Sequence, residues 1–487
     1  LPINPSDWSY LAEGGFHIIL RYDGANPRLQ RRILRIGKKS LGHTYTGKGA
    51  TDNDTPKTGA RREFEGGVLR PLLGSQYVQL GEAVRLSRAD IDKIHDSIDH
   101  LRPAGRIERD SDSWSSEAQV EPDKTDFWLN LPAGFADVCE NRDDDEVIAV
   151  EVKPKGAVMP VSSLVPPGNN RLKHKVWRFD AQQHFKAKSK QSWGAIKRPC
   201  LYHPEDFYSG KAGRAASALK ELMKTPQNKL RAWENGDMLF GAGSGEGGDH
   251  VLDVAKAAKK AELGSGDGEE PAESLMDLIG EILAREPLVS KLLAAQRLDV
   301  LEIEGGGLVF DKLVSLCEGS EDKALSILED QQADPFEALP PDADLLVPEM
   351  TLAALRQGSA IPAGAESLDD LYEKGLRAVE RLGMQECLQL LRRYIIALGV
   401  MDCSVMMSLK AVKLEDGKRE EGAAETLPIQ EPDAAGVLRT ADGRRVAYCV
   451  SVVDAGPKPP TKLSKKAKNE HEIWDSWASR KETEDVA

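Results

Sequence analysis

The chain has 487 residues, 40% of them hydrophobic and 30% charged. At roughly 100 to 200 residues per domain this is enough for two to four domains or one large two-lobed body, and the composition excludes collagen-like, coiled-coil and wholly disordered chains. No run of about 18 apolar residues exists and the first residues lack a basic-then-apolar pattern, so a soluble protein with neither membrane helix nor signal peptide is expected.

In chain order, Asp7-Trp8-Ser9-Tyr10, Ala12-Glu13-Gly14-Gly15, the apolar run Phe16 to Tyr22 and Arg32 to Ile36 read as strands around turns. They predict a β-rich N-terminal lobe over residues 1–130. Gly37 to Gly67 holds seven glycines and six Lys or Arg, the composition of a long loop. Ala89 to Leu101 has helical spacing, and Asp126 to Leu129 and Glu146 to Val152 are apolar runs of strand length. Residues 131–487 then form a larger mixed lobe. Its helices are expected at Gly213 to Met223, Ser274 to Ala295, Lys323 to Leu328, Leu368 to Leu382 and Glu386 to Leu398. Residues 240–273, rich in Gly, Ser, Ala and charge, read as a flexible insert. Strands at Cys403 to Val412 and Arg445 to Val453 precede a basic terminal helix, Lys462 to Trp477. The fold class is α+β.

Charge is distributed unevenly. The total is 65 basic against 79 acidic residues, a formal −14, which argues against a generic nucleic-acid binder. Yet Lys153 to Arg198 holds eleven Lys or Arg and one acid, Asp180, while Asp299 to Met350 holds fourteen acids and two lysines. A basic cleft in an acidic body focuses a compact polyanion and repels extended ones. The six cysteines (Cys139, Cys200, Cys317, Cys387, Cys403, Cys449) include no C-x-x-C pair. Inert thiols in a reducing compartment, without structural zinc, are expected.

Several strings carry possible chemistry. Gly42-x4-Gly47-Lys48 imitates a phosphate loop, but Gly49 stands where a metal-binding hydroxyl is required. Glu13-Gly14-Gly15 lies between strands, where glycines let backbone N–H groups approach phosphate oxygens. Glu151-Val152-Lys153-Pro154-Lys155 presents charge opposite Val152, suited to a multiply phosphorylated ligand. Asp402 precedes one strand-like run and Asp454 ends another, positions suited to a general base or a magnesium ligand; a structural turn role fits each alone equally well.

Together these strings resemble the inositol-pentakisphosphate 2-kinase family. The resemblance runs through Ser6-Asp7-Trp8, Glu13-Gly14-Gly15, Ile33-Leu34-Arg35-Ile36, Arg102-Pro103-x-x-Arg106, Glu151 to Gly156, Arg178-Phe179 to Lys186, and Thr225-Pro226-Gln227-Asn228 to Arg231. It continues through Gln296-Arg297-Leu298-Asp299 with Ile303-Glu304-Gly305, then Asp402 to Met406, and Asp454 with Lys458. It implies a two-lobed kinase-like fold whose larger lobe binds inositol phosphate. The implied reaction is ATP-dependent phosphorylation of the 2-hydroxyl of inositol 1,3,4,5,6-pentakisphosphate, giving inositol hexakisphosphate. By this resemblance Glu13, Gly14, Gly15, Phe16, His17, Arg35, Asn130, Glu151, Arg231 and Asp454 meet ATP and magnesium, with Asp454 the metal ligand. Asp402 takes the hydroxyl proton, with Lys153 and Arg35 beside the transferred group. Arg106, Lys153, Lys155, Lys186, Asn228, Lys458 and Lys462 meet the inositol phosphate. Lys462 stands where the family has Arg, keeping the charge but losing the bidentate fork. The zinc of plant members has no matching Cys/His cluster here, and none is expected. A monomer in nucleus or cytoplasm, without membrane or direct nucleic-acid partner, completes the expectation. The alternatives are a non-catalytic inositol-phosphate sensor on the same fold and a kinase for less phosphorylated inositols.

Overall fold

Alternating apolar residues make the first sheet. In the computed structural model, which describes residues 3–13, 17–40, 62–102, 107, 110–125, 146–188, 200–227, 229–241, 249–329, 367–411, 435–440, 443–456 and 463–480, five strands pair antiparallel in the order β1-β2-β3-β5-β4. They are β1 (Trp8–Glu13), β2 (His17–Tyr22), β3 (Arg32–Ser40), β4 (Glu82–Arg85) and β5 (Asp110–Pro122). Ile18, Leu20 and Tyr22 alternate inward on β2 and meet Leu34 and Ile36 of β3. Helix α1 (Arg88–Ile98) closes this core with Ile91, Ile94 and Ile98, one face at helical spacing, and starts at a Ser87–Asp90 capping box.

The second sheet, also antiparallel, has the order β10-β11-β9-β6-β7-β8. Its strands are β6 (Val147–Val152), β7 (Leu230–Glu234), β8 (Asp237–Phe240), β9 (Ser404–Ala411), β10 (Ala435–Arg439) and β11 (Arg445–Val453). Every residue of central β6 is buried, which matches its nearly unbroken apolar run. The further helices in chain order are α2 (Arg178–Lys188), α3 (Ala212–Lys224), α4 (Asp249–Lys260), α5 (Glu270–Arg285), α6 (Pro287–Gln296), α7 (Glu302–Leu316), α8 (Glu321–Glu329), α9 (Leu368–Arg381), α10 (Met384–Met401) and α11 (Leu463–Ala478). Two antiparallel sheets with segregated helices make this an α+β protein. No described helix is long and apolar enough to cross a membrane.

The chain forms two compact units, each built from three segments: Leu1–Lys153, Ser209–Val289 and Cys403–Gly456 in the first, and Pro154–Tyr208, Ser290–Asp402 and Pro457–Ala487 in the second. The expected division was a single cut near residue 130. All strands of the first sheet do come from residues 8–122, but the first unit also holds both sheets together with α3, α4 and α5. The second unit is helical. Its core joins Ile303, Val309, Phe310 and Leu313 of α7 to Leu388, Leu391 and Tyr394 of α10.

Three expectations are corrected. The helix expected over 274–295 is two helices, because Pro287 disfavours helical backbone at Glu286, which is extended (φ −75, ψ 122). Residues 37–40 continue β3, and 62–73 are helical, so the expected loop shrinks from both ends; 41–61 lie outside the described residues. The Asp126 to Leu129 strand also lies outside them. Finally, the part of 240–273 from residue 249 on is not an unpacked insert: α4 and its exit bury Val254, Ala255, Ala257, Ala258, Ala261 and Leu263, while 242–248 lie outside the described residues. Alanine-rich composition hides this helix because its buried face is made of small side chains. On that basis Ala258→Asp, placing a charge at a fully buried site, should lower stability by about 3 kcal/mol or more. Chemical denaturation would show it as an earlier midpoint; an unchanged midpoint would restore the flexible-insert reading.

Candidate functional site

In the first sheet, buried carboxylates fix the cations. Arg35 lies mid-strand on β3, opposite Ile19 and Gln119. It grips the buried Glu121 through Nε–Oε1 at 2.9 Å and Nη2–Oε2 at 3.3 Å, a bidentate fork that sets the guanidinium plane. Glu13 ends β1 with its carboxylate turned inward: Oε2 accepts from Arg102 Nε at 3.0 Å and lies 3.5 Å from Lys38 Nζ. Arg102 in turn lies over Trp114, 5.5 Å from the ring centre. Glu13 thus anchors the strand end from which Gly14 departs. His17 opens β2 opposite Gly37.

In the second sheet, β6 pairs antiparallel with β9, and β9 with β11, so β6 and β11 run parallel and end at the same edge. Lys153 follows β6 and Asp454 follows β11. Their charged groups meet loosely, Nζ to Oδ2 3.9 Å, with the Asp454 side chain half exposed. Asp454 has left-handed backbone, φ 59. Glu151 and Arg231 are cross-strand partners on β6 and β7, joined at 3.4 Å. The Lys153 amide donates to the Lys229 carbonyl at 2.8 Å, continuing that pairing.

In the second unit, Lys155 Nζ lies 2.7 Å from Asp402 Oδ1, a pair left partly exposed (29% and 45%). Asp402 terminates α10. Lys186 of α2 shares this neighbourhood. Burial pushes its ammonium below the usual lysine range, the Lys155 and Arg178 charges push it further the same way, and Asp402 opposes them. Arg178 is held by Glu470, Nε to Oε1 2.7 Å. Behind it Lys173, fully buried, bonds both oxygens of Glu304 at 2.9 Å and lies 3.5 Å from Glu302. Asp299 accepts from the amides of Leu301 (2.9 Å) and Glu302 (2.8 Å), where the chain enters α7. Such an array can bind a dense anion beside a carboxylate able to accept a proton.

A family profile, inositol-pentakisphosphate 2-kinase, matches residues 10–472. The chain belongs to the inositol-pentakisphosphate 2-kinase family. An inositol-pentakisphosphate 2-kinase of Arabidopsis thaliana is 24% identical over 510 positions, covering 99% of this chain and 95% of the relative. One of Danio rerio is 29% identical over 243 positions, 49% of this chain and 45% of its own. One of Cryptococcus neoformans is 28% identical over 235 positions, 47% of this chain and 50% of its own.

Of the residues expected in this kinase's site, the structure pairs Lys153 with Asp454, Lys155 with Asp402, Glu151 with Arg231, and sets Lys186 near Lys155 and Asp402. Gly14, Gly15, Phe16, Arg106, Asn130, Asn228, Lys458 and Lys462 lie outside the described residues. Sequence reasoning missed Glu121, the partner of Arg35, and Glu470, the partner of Arg178; each stands among other acids, Glu117 and Asp123 or Glu472 and Asp475, with nothing local to single it out. No group of three or more His, Cys, Asp or Glu is placed to hold a metal among the described residues.

The Lys173 cluster gathers more acid than base. Burial lifts the Glu302 carboxyl most, against the pull of Lys173, and Asp299, Glu304 and Glu470 lift it further, to about 8. Burial raises Asp299 to about 6, although the amides of Glu302 and Leu301 and the Lys173 charge oppose it. An unfolded Glu loses its proton near 4.5, so between there and about 8 the folded chain holds the extra proton, and stability falls as pH rises through that window. Glu302→Gln should flatten this decline in thermal midpoints measured from pH 5 to 8. An equally steep decline in the variant would show that Glu302 is not its source.

Proposed function

We propose that the chain transfers the γ-phosphoryl group of ATP to the 2-hydroxyl of inositol 1,3,4,5,6-pentakisphosphate, giving inositol hexakisphosphate, on a two-lobed kinase-like fold. The observation that carries the substrate class is the gathering of three cations of one unit, Lys155, Lys186 and Arg178, around the Asp402 carboxylate and Glu470, with Lys186 depressed first by burial and then by the Lys155 and Arg178 charges. Cations gathered beyond what the Asp402 and Glu470 carboxylates neutralise are stabilised when a polyanion arrives. The new bond joins the inositol oxygen to the γ-phosphorus, the bond from that phosphorus to ADP breaks, and the hydroxyl proton passes to Asp402. Lys155 holds the Asp402 carboxylate in one orientation, and Lys153 supplies charge beside the phosphoryl group. Arg35, already fixed by its fork on Glu121, reaches the phosphates without reordering.

The half-exposed Asp454 carboxylate suits a hard cation that takes one or two protein oxygens and completes its shell with phosphates and water. Magnesium held there would neutralise charge on the nucleotide phosphates.

The direct test is purified protein with Mg-ATP and inositol pentakisphosphate, products separated by anion exchange; tight binding without product would favour the sensor. Asp402→Asn should lower turnover by roughly 100-fold or more while both substrates still bind, and added magnesium should not restore it. Asp454→Asn should weaken productive Mg-ATP binding and regain part of its activity at high magnesium. Near-normal turnover in both variants would refute these roles.

Charge crowding also has a thermodynamic readout. Because Lys186 gives up its proton more easily than an ordinary lysine, the anion should draw a proton back onto it, and the uptake should grow as pH rises toward the depressed value. Calorimetry in buffers of different ionisation enthalpy measures that proton. Lys186→Met should remove it, and an unchanged proton count would place the ligand elsewhere.

A further inference from the structure

We propose that Gln296, acting with Tyr208, is the positioning residue that sets Lys155 against Asp402. The inference rests on the reading of Lys155 as an inositol-phosphate contact and adds a residue to that site that touches no substrate.

Lys155 has left-handed backbone, φ 71. For a residue with a Cβ this conformation costs on the order of 1 kcal/mol or more, so surrounding structure must hold it. Three hydrogen bonds and one longer contact do so. The Tyr208 hydroxyl donates to the Lys155 carbonyl at 3.1 Å. Gln296 Nε2 donates to the Tyr208 oxygen at 2.9 Å and lies 3.4 Å from the same Lys155 carbonyl. Gln296 Oε1 accepts from the Ala157 amide at 2.8 Å. One side chain therefore pins the backbone on both sides of Gly156, while the Lys155 ammonium reaches Asp402 at 2.7 Å.

The chemistry requires a carboxamide. The Ala157 N–H can only donate, which fixes Oε1 toward it and Nε2 toward the tyrosine and the carbonyl. A carboxylate would face the Lys155 carbonyl with no proton to give, and a thioether would offer neither group. Gln296 is fully buried, so its unmatched atoms would have no water to turn to. Its place is also set from the other side. Three residues on, Asp299 accepts from the Leu301 and Glu302 amides where α7 begins, so the Gln296-x-x-Asp299 string ties the Lys155 turn to the helix that packs in the core of this unit.

The test is a double-mutant cycle read as affinity for inositol pentakisphosphate by calorimetry, with thermal midpoints as the folding control. Lys155→Ala should weaken binding roughly 30-fold, Gln296→Met roughly 10-fold and Tyr208→Phe roughly 3- to 5-fold, the scale of one or two buried hydrogen bonds. Because Gln296 works through Lys155, the double variant Lys155→Ala/Gln296→Met should bind no more weakly than Lys155→Ala alone, within about 2-fold. Wild-type affinity in a folded Gln296→Met protein overturns the inference, as does a loss that multiplies with that of Lys155→Ala, which marks a general structural role. Should Gln296→Met not fold, Tyr208→Phe decides by the same cycle. Wild-type affinity in Lys155→Ala overturns the phosphate role of Lys155 and the inference with it. That result is distinguishable from failure of the clamp, in which Lys155→Ala still weakens binding and Gln296→Met does not.

Discussion

Cations gathered for a polyanion repel one another when the polyanion is away, by about 1 kcal/mol for a pair 4 Å apart even in water and by more where solvent is excluded. The second unit answers this repulsion with carboxylates drawn from far along the chain. Asp402 holds Lys155, Glu470 holds Arg178, and Glu302 and Glu304 hold Lys173. Two of these four acids, Glu302 and Glu304, come from the acidic stretch and Glu470 from the last helix, while Lys155, Lys173 and Arg178 belong to the basic stretch. The opposite charge blocks seen in sequence are thus in part each other's counterions. Lys186 registers part of what remains uncompensated, since its proton is loosened by burial first and then by the Lys155 and Arg178 charges.

The first unit inverts the arrangement, burying acids and recruiting partners to them. Glu13 meets Lys38 and Arg102, Glu121 meets Arg35, and Glu151 meets Arg231. Glu286 accepts from the hydroxyls of Tyr77 at 2.8 Å and Tyr448 at 2.9 Å. Each buried carboxylate would be costly alone and is tolerable because it is bonded. As a consequence the Arg35 guanidinium is held in one orientation by its fork on Glu121.

How much could be read from sequence depended on what kind of signal an element carried. β2, β6, β9 and β11 are apolar runs of strand length and were legible as such. The β7–β8 hairpin turns on Asn235-Gly236, both with positive φ (50 and 82), a strong turn signal that the surrounding mixed polarity masked. Helix α7 was illegible because three consecutive glycines weaken it by about 1 kcal/mol each relative to alanine. Two of them are explained by contact: a Cβ at Gly305 would lie 2.8 Å from Leu164, and one at Gly306 2.9 Å from the Tyr394 ring. In the site, residues were legible and pairings were not. Lys155 and Asp402 are 247 positions apart, and no local pattern reports such a meeting. The role of Gln296 was hidden for a related reason, since its partners are mainly backbone atoms, whose positions no residue type announces.

Backbone strain supplies an argument for the site that is independent of kinship. Left-handed non-glycine residues in this chain include Glu262 and Glu318, each just beyond a helix end, where such conformation commonly terminates a helix. Nothing in that position demands a carboxylate, and glycine would adopt it at less cost. Glu318 does meet Lys323 at 2.7 Å, but that pair is exposed and five residues apart, whereas Lys155 and Asp454 meet partners brought from other elements. Each leaves a turn in the same strained region while its side-chain charge meets a partner, Asp402 at 2.7 Å and Lys153 at 3.9 Å. Glycine would relieve the backbone and delete the charge, so a lysine and an aspartate at these two φ values mean that the charge is worth more than the relief. Strain held at a charged residue that meets a distant partner is the pattern expected where a side chain cannot be exchanged for glycine.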